Sequence, residues 1–256
     1  MLTDDRKNIV SLFDESGNAL RPWAKAGFRC FAFDIENDGR VEAFEGGGSI
    51  TFVYADLMPD DWRIEGSTNA TIESIIALKP SFIMGFPPCT ELATSGAKHF
   101  EAKWQADPDF QLRAVALARV VETVGNRTGA PWFLENPRSV LSTFWRRFNK
   151  KFDPCDFGGY LPEDDVHPRW SEYIMPRDAY AKETWLWTGN GFVMPPKRPV
   201  SPYVIEYDNG VKGSSQFAKL GGKSKKTKQI RSETPRGFAI AVFCANYLWP
   251  SWNGTK

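Results

Sequence analysis

Ile9-Val10-Ser11-Leu12-Phe13-Asp14-Glu15-Ser16-Gly17 is an apolar run of strand length that breaks off in two acids, a serine and a glycine. Leu20, Trp23 and Ala24 follow at helical spacing and Gly27 closes the segment, so the stretch reads strand, turn, helix. The motif recurs along the chain. Cys30 to Phe33 ends at Asp34, Ser49 to Tyr54 ends at Asp56, Phe82 to Met84 ends at Gly85-Phe86-Pro87-Pro88-Cys89, and Pro131 to Leu134 ends at Glu135-Asn136-Pro137. Between the last two, Leu112, Val115, Leu117, Val120, Val121 and Val124 recur in a helix-like pattern. Strands alternating with helices and delivering polar residues at their carboxyl ends predict a doubly wound α/β sheet of Rossmann type. Ligands of such a sheet sit outside the carboxyl edge.

The 256 residues suffice for one large domain or two small ones, and 42% hydrophobic, 14% aromatic and 25% charged residues fall in the globular range. No apolar run reaches the ~18 residues of a membrane span. The opening MLTDDRKNIV has no apolar signal core, which predicts a cytoplasmic protein. Cys30, Cys89, Cys155 and Cys244 are far apart, form no C-x-x-C pair and share the chain with two histidines, so no metal site is expected. The net charge of +1 conceals an uneven distribution. Acids dominate Asp34 to Asp61, whereas Lys219, Lys223, Lys225, Lys226, Lys228, Arg231 and Arg236 crowd one late segment, which reads either as a solvated loop or as a surface for a polyanion.

These patterns divide the chain into a Rossmann-type core over 1–152 and a Pro-rich insert over 153–181, with Pro154, Pro162, Pro168 and Pro176 as breakers. A core strand follows over 182–188, then a small basic region over 189–232, and residues 233–256 supply a closing helix of the core around GFAIAVFCANYL.

Two places carry chemistry. Asp34 lies 21 residues beyond Phe13 (34 − 13), the layout of a nucleoside site with a tight turn near the ligand and an acid for ribose hydroxyls. The turn lacks G-x-G-x-x-G and its own acids repel a pyrophosphate. That argues against NAD and for a donor with an amino acid in place of phosphates, such as S-adenosylmethionine. Cys89 follows two prolines on a strand-end turn, the rigid presentation a nucleophile needs, and Glu135 ends the next strand. A thiolate adding to C6 of cytosine while a carboxyl group protonates N3 makes C5 nucleophilic enough to attack a methyl sulfonium.

With these residues the chain resembles the DNA (cytosine-5) methyltransferases, above all their short phage-type members. The resemblance rests on SLFDESGNALRPWAKAGF at 11–28, AFDIE at 32–36, YADL at 54–57, GFPPCT at 85–90 and FLENP at 133–137. It continues through FG at 157–158, KETWLW at 182–187 and ETPRGFAIAVFCANY at 233–247. It spans most of the chain in the family's order, and Pro-Pro-Cys with Glu-Asn is its specific part. The resemblance implies that Phe13, Asp14, Ser16 and Gly17 line an S-adenosylmethionine site with Pro87, that Asp34 takes the ribose hydroxyls, that Ile35 stacks near adenine and that Asp56 accepts the adenine amino group. It makes Cys89 the nucleophile and Glu135 the partner of N3, and puts Lys182 at the first arginine of the family's Gln-x-Arg-x-Arg motif. Thr90, His99 in a flap after the nucleophile, Lys223, Lys225 and Lys226 are expected on DNA. His167, among Asp164 and Asp165, reads as a surface turn.

Departures from the family sharpen these expectations. Pro-Cys-Gln is Pro-Cys-Thr here, Glu-Asn-Val is Glu-Asn-Pro, and the second motif arginine is Thr184, which leaves open the contacts to the cytosine carbonyl and the DNA backbone. The target-recognition region is reduced, so short sequence specificity is expected. Arg236 stands where the family has an asparagine near the transferable methyl group. It pairs either with an acid or phosphate, or with a carboxylate on the donor, as in carboxy-S-adenosylmethionine. The expected function is therefore a monomeric DNA cytosine-C5 methyltransferase of low specificity. The alternatives are a carboxymethyltransferase on the same scaffold, a catalytically silent DNA-binding relative, and an enzyme of free deoxycytidine nucleotides.

Overall fold

The computed structural model describes residues 7–206, 210, 212–214, 216, 220 and 224–248. They form two bodies. The first runs up to Lys151 and takes back Thr184–Phe192.

Its strands are β1 (Asn8–Leu12), β2 (Arg29–Asp34), β3 (Val41–Ala43), β4 (Ser49–Tyr54), β5 (Phe82–Gly85), β6 (Trp132–Pro137), β7 (Lys150–Phe152) and β8 (Thr184–Gly189). They make one eight-stranded sheet in the order β3-β4-β2-β1-β5-β6-β8-β7. β4, β2, β1, β5 and β6 are parallel, while β3 and β8 run antiparallel to their neighbours β4 and β6. The helices of this body are α1 (Arg21–Lys25), α2 (Ala70–Ala77), α3 (Phe100–Ala106), α4 (Phe110–Thr128) and α5 (Leu141–Phe144). The fold is α/β with a mixed, mostly parallel sheet, an arrangement compatible with a Rossmann-type fold.

Burial on both faces explains why the central strands read as unbroken apolar runs rather than alternating ones. Ile9, Val10 and Leu12 of β1 and Ile83 of β5 are fully buried. Val10, Leu12 and Ile83 pack with Ile72 and Ile75 of α2 and with Val115, Ala118, Val121 and Val124 of α4. Gly85 lets α4 approach the sheet closely, since a Cβ there would lie 2.2 Å from Val121 Cγ2. The chain leaves β1 toward β2 on one side and returns to β5 on the other, so the strand order reverses at β1/β5. In doubly wound sheets such a reversal is where a crevice opens at the carboxyl ends of the strands.

The second body comprises Phe152–Glu183 and the chain from Val193 onward. The insert contains two 3-10 segments, Pro154–Tyr160 and Pro176–Asp178, as its prolines require. A two-stranded antiparallel ribbon joins β9 (Val204–Glu206) to β10 (Lys212–Ser214). Helix α6 (Lys225–Ser232) and helix α7 (Arg236–Phe243) follow, the latter continuing as a π-helical turn over Cys244–Leu248. Phe152 stacks on Phe238 of α7 with ring centroids 4.1 Å apart, Phe157 meets the same ring at a tilt at 5.3 Å, and Ile174, Tyr180, Leu220 and Ile230 form a second cluster.

Two expectations change here. The closing helix, read as part of the Rossmann core, is grouped with the insert, because its aromatic face meets Phe152 and Phe157. The basic segment, for which a solvated loop is one of the two readings, contains α6. Ser224 caps that helix by accepting the Thr227 N–H at 3.1 Å, and Thr227 and Ile230 turn inward while Lys225, Lys226, Lys228 and Arg231 stay exposed. No helix among the described residues is long and apolar enough to cross a membrane.

Candidate active site

The turn after β1 is built by its own acid. Asp14 Oδ1 accepts the N–H groups of Ser16 at 3.0 Å and Gly17 at 2.7 Å and the Ser16 hydroxyl at 3.1 Å, while Oδ2 accepts the Ser11 hydroxyl at 2.7 Å. Asp14 is 4% exposed. Its carboxylate therefore shapes the turn from within, and the turn's outer surface is left to backbone, Ser16 and Phe13. Phe13 has φ 58°, a left-handed conformation that a bulky residue adopts only where its surroundings hold it. Gly17, at φ 65°, leaves room for the Phe52 ring, whose Cζ would lie 2.8 Å from an added Cβ. Arg40 covers the other side of that ring at 3.6 Å and donates to the Glu15 carbonyl at 3.0 Å.

Asn37 ties the neighbouring strand ends together, donating from Nδ2 to the carbonyls of Asp14 (3.2 Å) and Ala32 (2.9 Å). Neither Asn37 nor Arg40 was expected from the sequence, because both act on backbone brought near only by folding. Asp34, at the end of β2, is half-buried and accepts the Glu36 N–H at 2.9 Å. Burial raises its pKa, the Glu36 N–H lowers it, and the charges of Asp14, Glu15 and Glu36 add to the rise. Ile35 beside it is 58% exposed, and Asp56 is exposed at the end of β4, accepting the Met58 N–H at 2.9 Å.

The second half of the site hangs on β5 and β6. The Phe86 N–H donates to Leu12 O at 3.0 Å, so the turn after β5 starts from the end of β1. Pro87 is buried, and its carbonyl accepts Asn136 Nδ2 at 3.2 Å. Asn136 is fully buried, so this bond clamps the Pro-Pro-Cys turn to the Glu-Asn strand end. Cys89 is half-buried, and its carbonyl accepts the N–H groups of Leu92 (3.0 Å) and Ala93 (2.8 Å), which folds the next residues into a tight turn. Cys30 and Cys155, by contrast, are buried thiols whose pKa burial raises. Glu135 is half-buried between the buried Leu134 and Asn136, with Leu186 of β8 as its ladder partner. Thr90 and His99 are exposed, His99 at the end of a 3-10 segment, Thr94–His99.

Phe13, Asp14, Ser16, Gly17, Asp34, Ile35, Asp56, Pro87, Cys89, Thr90 and Glu135 thus all belong to the carboxyl edge of one parallel sheet, on both sides of the β1/β5 switch. No protein-family model matches this chain, and no curated protein matches it.

The remaining expected residues belong to the second body. Lys182 donates to Arg231 O at 2.7 Å, a carbonyl in the last turn of α6, where a cation is favoured. Lys225 and Lys226 are exposed on α6, and Lys226 Nζ lies 3.2 Å from the Tyr173 hydroxyl and 4.7 Å from its ring. Lys223 falls outside the described residues. Arg236 grips Asp165 with both terminal nitrogens, Nη1 to Oδ1 at 2.8 Å and Nη2 to Oδ2 at 2.7 Å. Asp165 thus supplies an acid partner for Arg236 within its own chain. Asp165 also accepts the Arg177 N–H at 2.8 Å. Burial raises the Asp165 pKa, but the Arg236 and Arg177 hydrogen bonds outweigh it and leave the carboxyl lowered.

His167, expected on a surface turn, is instead 3% exposed. Its Nδ1 accepts the Trp170 N–H at 2.9 Å, so the neutral ring carries its proton on Nε2, 3.8 Å from Glu233 Oε1. Glu233 Oε2 accepts the Trp170 indole N–H at 2.8 Å, and Asp178 Oδ2 accepts the Gly237 N–H at 2.8 Å at the start of α7. These contacts hold the insert to residues 233–237, a pairing no local sequence signal announces.

Proposed function

We propose that the chain is a DNA cytosine-C5 methyltransferase that takes S-adenosylmethionine as methyl donor and uses Cys89 as nucleophile. The observation that carries this reading is the Asn136–Pro87 clamp, which joins the cysteine turn to the strand end bearing Glu135 at the switch point beside the β1 turn. The residues at the first half of the crevice suit the donor. Asp34 offers a carboxylate to a diol, the exposed Ile35 an apolar face to a purine, and the concentration of Asp14, Glu15, Asp34 and Glu36 favours a sulfonium cation while repelling polyphosphates. The donor supplies a methyl group activated as a leaving-group sulfonium.

The chain's own residues do the rest. Glu135 in its acid form gives a proton to N3 of the target cytosine as the Cys89 thiolate bonds to C6, leaving C5 electron-rich toward the methyl group. After transfer, a base takes the C5 proton, the C6–S bond breaks to expel the Cys89 thiolate, and N3 returns its proton to the Glu135 carboxylate, which restores the neutral aromatic ring and the starting form of both side chains. The target base must leave the duplex for C6 to meet a side chain on a strand-end turn. Methyl rather than carboxymethyl transfer is favoured because both terminal nitrogens of Arg236 are engaged by Asp165.

The test is incubation of the protein and donor with DNA carrying 5-fluorocytosine, in which the C5 substituent cannot leave. A covalent protein–DNA adduct is expected, and Cys89→Ser should abolish it. An adduct that survives that substitution, or its absence with wild type, would refute the assignment. Mass spectrometry of nucleosides from unmodified DNA identifies the transferred group.

A further inference from the structure

The residues just past Glu135 are paired with the loop that carries Cys89. Arg138 O accepts both the N–H of Thr94 at 3.1 Å and its hydroxyl at 3.2 Å, and the Val140 N–H donates to Leu92 O at 2.9 Å. Ala93 and Ser139 form an antiparallel bridge between these bonds. Since Cys89 O accepts the N–H groups of Leu92 and Ala93, the nucleophile, residues 92–94 and Arg138 are one hydrogen-bonded assembly. The backbone of Arg138 is therefore fixed against residues 92–94, which in turn are hydrogen-bonded to the Cys89 carbonyl.

Among the described residues no hydrogen bond or ion pair engages its side chain, and Arg138 is exposed. It opens a run, residues 138–151, that holds Arg138, Arg146, Arg147, Lys150 and Lys151 and no acid. Arg146 pairs with Glu122 at 3.1 Å, and Lys150 and Lys151 lie on an edge strand, where lysines discourage edge-to-edge pairing. Arg138 shares neither role. Lys98 and His99, also exposed, end the 3-10 segment that begins at Thr94.

We propose that Arg138 is a phosphate-positioning residue, gripping a backbone phosphate of the DNA strand that bears the target cytosine and holding that strand in register with Cys89. This rests on the methyltransferase reading above. A base rotated out of a duplex is delivered accurately only if its backbone is held near the pivot, and phosphate contacts set register without reading sequence. A guanidinium binds two phosphate oxygens through parallel N–H bonds, which fixes direction as well as distance.

The experiment compares wild type, Arg138→Ala and Arg138→Lys for equilibrium binding of duplex DNA across a salt series, for kcat and KM on that DNA, and for S-adenosylmethionine binding. Arg138→Ala is expected to reduce the slope of log affinity against log salt by about one and to lower kcat/KM for DNA roughly ten- to a hundredfold. Donor affinity should be unchanged, and Arg138→Lys should restore the salt slope but only part of kcat. An unchanged salt slope in Arg138→Ala would overturn the assignment, as would loss of donor binding in parallel with DNA binding, which marks a folding defect. If wild type binds DNA with the expected slope difference yet transfers nothing, the methyltransferase reading fails while the phosphate contact stands. If wild type binds no DNA, both fail.

Discussion

Replacing Arg236 by Met tests what that residue does. The guanidinium makes two hydrogen bonds of 2.8 and 2.7 Å to Asp165, whose side chain is 6% exposed against 21% for Arg236. Removing one member of a buried pair leaves a desolvated charge and costs about 3–5 kcal/mol. The Arg236 side is partly solvated and Asp165 keeps the Arg177 N–H, so about 3 kcal/mol is the expected loss at pH 7. With a urea m-value of about 3 kcal/mol per molar, the midpoint of the transition of the second body falls by about 1 M. Tryptophan fluorescence reports it, since Trp170 is bonded to Glu233 in the same network.

The pH dependence has a definite sign. The Asp165 carboxyl is lowered in the folded state, so the pair's contribution is present above the unfolded aspartate pKa and is lost as pH falls through the lower folded value. The gap between wild type and Arg236→Met should therefore narrow on acidification. Asp165→Asn removes the same pair from the other end, and the double variant should lose clearly less than the two single losses combined, by about 2 kcal/mol. A loss below about 1 kcal/mol in Arg236→Met, or additive single losses, would refute the structural role. A switch of donor preference with stability intact would place Arg236 at the donor.

Two further outcomes are expected. Burial, with the Arg236 charge, lowers the His167 pKa to about 4, so stability from this group is present above 6.5 and lost as pH falls to 4; burial raises Asp178 to about 6, so the same acidification stabilises the fold there. Each effect is about 3 kcal/mol and they oppose, so urea midpoints between pH 4.5 and 6 should be nearly flat in wild type, rise toward acid in His167→Gln and fall toward acid in Asp178→Asn; equal slopes in all three would contradict this. Asn136→Ala should remove the clamp on Pro87 and slow adduct formation with 5-fluorocytosine DNA at least tenfold while leaving DNA affinity within twofold, about 1.4 kcal/mol or more on the chemical step alone. An equal loss in binding and rate would show a general unfolding of the edge instead.

The parallel strands and their chemistry-bearing ends were legible because both signals are local. Ile9 to Leu12 and Phe82 to Met84 are apolar runs of strands buried on both faces, Ser49 to Tyr54 is a run that alternates, and the polar residues follow where the backbone leaves the sheet. Cys89 and Glu135 could be singled out on the same ground, since a cysteine after two prolines and an acid at a strand end need no knowledge of neighbours. The element missed in the late basic segment, α6, was hidden by composition. Its lysines disguise an inward face of two residues, Thr227 and Ile230, that only makes sense against Ile174 and Tyr180.

Sequence by itself therefore determined the class of sheet, the strand ends that carry the candidate site residues and the candidate nucleophile. Tertiary structure alone decided the strand order, the inward turn of the Asp14 carboxylate, the Asn37 and Asn136 bridges, and the partner of Arg236. It also decided that the Pro-rich insert and the closing helix belong together and that His167 is buried. The reason is distance along the chain. Asn136 meets Pro87 across 49 residues, Trp170 meets Glu233 across 63 and Arg236 meets Asp165 across 71, and a polar side chain looks the same in sequence whether its partner at that separation is water or a buried acid.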